Sequence, residues 1–97
     1  MGHDVYAYKS SDSKKAIAHM RRGSMDQYNE EIYKALDSMD CKKGNSGNGE
    51  KRMFTSNQLY LAQRKIGTSP LVEEERAFIK KCIANVGDDD KITLLFS

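Results

Sequence analysis

The run KKGNSGNGEKR at 42–52 sets Gly44 and Gly49 at the spacing of a phosphate-binding loop, with a lysine close behind. Such a loop follows G-x-x-x-x-G-K-[ST]: backbone N–H groups wrap the phosphates, the lysine reaches them, and the hydroxyl holds magnesium. Here Glu50 stands where the lysine belongs, Lys51 comes one residue late, and Arg52 replaces the hydroxyl residue. A dinucleotide G-x-G-x-x-G fails as well, because Arg52 takes the third glycine's place after Gly47 and Gly49. The stretch reads as a flexible Gly/Asn-rich connector at about 41–53. Its cations Lys42, Lys43, Lys51 and Arg52 could close over a polyanion or a protein partner.

Nucleophiles and metal ligands are sparse. Cys41 and Cys82 have no metal spacing and form no disulfide framework. Cys82 falls on the apolar stripe of a helix, which predicts inert packing, whereas Cys41 beside Lys42 and Lys43 is the thiol that local charge would activate. Met1-Gly2-His3 would bind copper or nickel through the terminal amine and imidazole, but a small second residue favours removal of Met1. His3 at a strand end and His19 therefore read as surface residues, with no metal and no cofactor expected. Glu73 to Glu75 read as acids favoring a helix N-terminus and Asp88 to Asp90 as a polar turn, so no catalytic residue is assigned and no enzyme is expected.

Positioning these groups requires elements. HDVYAYKS at 3–10 and KITLLFS at 91–97 read as strands. A first helix is expected from Ser13 to Gly23, with Lys14, Lys15, His19, Arg21 and Arg22 on a basic arc. Ser24 with Gln27 opens a second, acidic helix through Tyr28, Ile32, Leu36 and Met39. Thr55 with Gln58 opens a third that ends at Gly67. Ser69 and Pro70 open a fourth, whose buried stripe runs from Leu71 through Phe78, Ile79, Cys82, Ile83 and Val86 to a stop at Gly87.

The fold expected is therefore α+β: four short helices, as two helical hairpins, on one face of a two-stranded antiparallel sheet made by the N- and C-terminal strands. Val5, Ala7, Ile92, Leu94 and Phe96 fall on the core side. Tyr6, Tyr8 and Leu95 fall on the other side, where they are candidates for a partner interface.

Ninety-seven residues suit one small domain, 1–97. With 16 basic and 14 acidic residues, the net charge of +2 is too small to imply nucleic-acid binding by itself. No apolar run is long enough for a membrane span, and the reading is a soluble, thiol-reduced, cytoplasmic protein. The function expected is a non-enzymatic protein-interaction or structural module, binding a protein partner or a second copy of itself. The alternative is nucleic-acid or other polyanion binding through Lys14, Lys15, Arg21, Arg22, Lys42, Lys43, Lys51 and Arg52.

Overall fold

The computed structural model describes residues 2–9, 14–23, 25–44, 46–86 and 88–97. The helix start expected at Ser13, the cap at Ser24, the stop at Gly87 and the metal reading at Met1 lie outside the described residues.

The chain runs β1 (Gly2–Lys9), β2 (Ala18–Gly23), α1 (Glu31–Ala35), β3 (Lys42–Lys43), β4 (Ser46–Gly47), β5 (Lys51–Thr55), α2 (Ser56–Ile66), α3 (Glu73–Ala84) and β6 (Lys91–Phe96). Single 3-10 turns at Met39–Cys41 and Pro70–Val72 precede β3 and α3. This corrects the expected architecture: among the described residues there are three helices, a four-stranded antiparallel sheet and a separate two-stranded one. The main sheet has the order β2-β1-β6-β5. Its two inner strands are the terminal ones, with Val5 opposite Phe96 and Ala7 opposite Leu94.

The expected basic helix is a strand because its burial alternates with period two. Ala18 and Met20 face the core, while His19 and Arg21 face solvent. Over so short a segment both periodicities fit, and hairpin pairing with β1 selects the strand. The expected second helix shrinks to α1. Before it, the Tyr28 N–H donates to the Asp26 carboxylate at 2.8 Å, a local turn that competes with helix. After it, Asp37 adopts a left-handed φ of 52°.

Within 41–53, β3 and β4 form a small hairpin, and Gly44 turns it at φ 60°. Gly47 lies against the end of β6; a Cβ there would sit 2.5 Å from the Phe96 carbonyl carbon, so the close approach requires glycine. β5 was hidden because Arg52 takes an inward position beside buried Phe54.

The third helix starts as its sequence signals. The Thr55 hydroxyl accepts from the Gln58 N–H while the Gln58 side chain accepts from the Thr55 N–H. Into α3, Leu71 is exposed rather than part of the buried stripe, and Glu75 is fully buried. The core lies between the sheet (Val5, Ala7, Ile92, Leu94, Phe96) and the helices (Leu59, Ala62, Phe78, Ile79, Cys82). His3, expected at the surface, is also buried there beneath Tyr33.

Candidate functional site: the uncovered sheet face and its β2 edge

With the helices on one side, alternation along four strands sends a second set of side chains to the other. One cross-strand row reads His19, Tyr6, Leu95, Lys51, and the next places Tyr8 beside Thr93 and Met53. Tyr6 and His19 stack with ring centroids 4.4 Å apart and planes 10° from parallel. The His19 Nε2 lies 2.8 Å from the Asp4 carboxylate, and the Arg21 Nε lies 4.0 Å from the same oxygen. Lys51 places its ammonium 5.9 Å from the centre of the Tyr8 ring, within cation–π range. Met53 is 52% exposed on this face.

The expected interface residues Tyr6, Tyr8 and Leu95 thus meet on one surface, together with Arg21 and Lys51 from the expected polyanion set. The rest of that set is scattered. Lys14 and Lys15 precede β2 in the β1–β2 connection, and Lys43 lies in the small hairpin. Lys42 is 3.5 Å from Glu30. Arg52 turns beneath the sheet, where it engages Asp40 and lies 3.1 Å from Glu50. Because Ala18–Gly23 is strand β2, Arg21 and Arg22 alternate between its two faces instead of sharing one basic helical arc.

Arg22 departs furthest from its expected role. Its Nε and Nη2 donate to the two Glu75 oxygens, each at 2.6 Å, forming a bidentate pair. Nη1 donates to Asp26 at 3.1 Å and Nη2 also to the Leu71 carbonyl at 2.8 Å. The hydrogen bonds to Glu75 raise the Arg22 pKa still further and keep it charged. Arg22 is a structural cation.

No protein-family model matches the chain, and no curated protein or solved structure proves similar to it.

Among the described residues, ligating atoms of Asp40, Cys41 and Glu50 converge within 4.8 Å of one another. The Arg52 guanidinium already supplies positive charge to both carboxylates, and the Cys41 thiol donates to Glu50 at 3.2 Å. Burial, and then the Glu50 carboxylate, push the Cys41 thiol up to about 11. Cys41 is thus buried and protonated, contrary to the activated thiol expected from its lysine neighbours. Burial alone pushes Cys82 up to about 12.

Met53 had no expected role, and Asp4 and His19 had no expected part in an interface on this face. The short alternation of Ala18, His19, Met20 and Arg21 was the available signal for β2, while Arg52 interrupts any such pattern in β5.

Proposed function

We propose that this chain is a small non-enzymatic protein-interaction module whose partner docks on the uncovered sheet face. One observation carries the reading: Tyr6, Tyr8, Met53 and Leu95 occupy adjacent rows of a single face, with Lys51 at the β5 end of one row and Arg21 in the next row on β2. Aromatic residues, methionine and arginine are the types that protein interfaces favour, with charges left to the rim. Both thiols are buried and protonated, a state suited to packing rather than nucleophilic attack. The polyanion alternative has narrower support, since Arg22, Lys42 and Arg52 are engaged by carboxylates of the chain itself.

A photo-crosslinking side chain placed at Tyr8 tests this in the protein's own host cells, with Tyr60 as control on the helical layer. Tyr60 is 52% exposed and Tyr8 less so, so accessibility does not favour the sheet position. Discrete protein adducts are expected from position 8, none from position 60, and loss of the former when Leu95→Lys is added. Absence of adducts from position 8, or equal yields from both positions, would overturn the reading.

A further inference from the structure

A groove of about 440 Å³ lies between β2 and α3. Ala18 to Arg21 form one wall, and Glu74, Ala77, Phe78 and Lys81 form the other. No described strand pairs with the outer side of β2.

The hydrogen-bond pattern shows what that edge offers. Asp4 and Ser97 exchange both backbone bonds, at 2.9 and 2.8 Å, so Asp4, Tyr6 and Tyr8 direct their backbone groups toward β6. Alternation turns His3, Val5 and Ala7 toward β2. By register, their partners Arg22, Met20 and Ala18 face β1. His19 and Arg21 therefore direct their N–H and C=O groups outward, along the mouth of the groove.

We infer that the β2 edge and the groove beside it accept an extended peptide segment of alternating acidic and apolar residues as a fifth strand. Strand addition supplies main-chain hydrogen bonds, and side-chain pockets on either face supply selectivity. Peptide residues opposite His19 and Arg21 share their face of the sheet, where opposite charge is favoured across strands. Arg21 is 61% exposed there, which leaves it accessible to a carboxylate. Alternate residues turn the other way, toward Met20, Ala77 and Phe78, where an apolar side chain fits.

A second copy does not fit this edge. Twofold pairing through β2 would set Arg21 against Arg21, His19 against Arg21, or His19 against His19, basic group beside basic group. The opposite edge of the sheet offers less. The Phe96 N–H donates to the Glu50 carbonyl at 3.1 Å, so alternation leaves Lys51, Met53 and Thr55 facing outward on β5. Of these, the Thr55 N–H is already taken by Gln58 at 2.8 Å.

This inference rests on the reading that the chain binds protein. Its test uses the full chain and a short capped peptide alternating Glu and Val, followed by amide exchange and chemical shifts. Controls are a Lys-for-Glu counterpart and two versions N-methylated along one edge or the other. The Glu peptide is expected to slow exchange at the His19 and Arg21 amides and to shift Ala77 and Phe78. N-methylation along one edge alone should abolish binding. Arg21→Glu should weaken it about tenfold or more while leaving the thermal melt unchanged.

Equal binding of the Lys peptide, tolerance of both N-methylated versions, or no binding at all would overturn the edge assignment. Perturbation confined to Tyr6, Tyr8 and Leu95 would overturn it too, while leaving docking on the sheet face intact. Crosslinking from position 8 decides the broader reading independently of the peptide result.

Discussion

Arg22 occupies a strand position whose side chain points beneath the sheet, where an apolar residue would ordinarily sit. The fully buried Glu75 makes this tolerable by accepting two of its N–H groups. Removing one member of such a pair leaves an uncompensated buried charge, which costs about 3–5 kcal/mol. Arg22→Ala should therefore lose a stabilisation of that order in urea unfolding, whereas Arg21→Ala, at an exposed site, should change it by less than about 0.5 kcal/mol. Equal effects would show that Arg22 is not the structural cation. His3 poses the opposite problem, a titratable group buried without a full set of partners. Its Nδ1 lies 3.2 Å from the Tyr33 hydroxyl, and its Nε2 has no hydrogen-bond partner among the described residues. Burial, reinforced by Lys42, lowers its pKa below the ordinary 6.5. Below that pH the unfolded chain binds a proton that the folded chain does not. Stability should accordingly fall as pH drops from about 6.5 toward the folded value, by at most about 1.4 kcal/mol per pH unit, and level off below it. Thermal melts of the parent and of His3→Leu across that range provide the check. An identical slope in the variant would rule out His3 as its source.

Elements were legible where local chemistry and tertiary context agreed. The Thr55–Gln58 capping box marks the start of α2, and the apolar alternation of Ile92, Leu94 and Phe96 marks the buried face of β6. The outer strands were illegible for one shared physical reason. Each carries an arginine on its inward face, Arg22 in β2 and Arg52 in β5, which breaks the alternation that announces a strand. Besides nearby Asp26 and Glu50, the arginines are held by carboxylates further off in sequence, Glu75 for Arg22 and Asp40 for Arg52, which no local pattern contains. The same blindness hid part of the candidate site. Tyr6, Tyr8 and Leu95 follow from the inner strands, but bringing His19, Arg21, Lys51 and Met53 beside them requires the outer strands. Of the basic residues expected along a first helix, His19 and Arg21 lie beside Tyr6 on this face, whereas Arg22 turns inward to Glu75.

At the scale of the molecule, the termini supply the two central strands, so the sheet closes only when the most distant parts of the chain meet. Each inner strand is paired on both sides, whereas β2 and β5 are paired on one. Hydrogen exchange should reproduce this order, because amides differ by the opening that frees them, from near zero at open edges up to the global stability. Along β1 and β6, Val5, Tyr6, Ala7 and Leu94 should exchange slowest, requiring global unfolding. On β2 a sharper signature is expected: Met20, directed at β1, should be protected, while its neighbours His19 and Arg21, directed outward, should exchange rapidly. On β5, Phe54 and Met53 should divide in the same way. Uniform protection along β2 would mean that its outer side is already covered, and would remove the open edge on which peptide addition depends. An inverted alternation would move the β2 register by one residue and turn His19 and Arg21 into the core. The alternating profile alone is compatible with a sheet that keeps its apolar face inward and holds His19 and Arg21 ready to pair with an incoming strand.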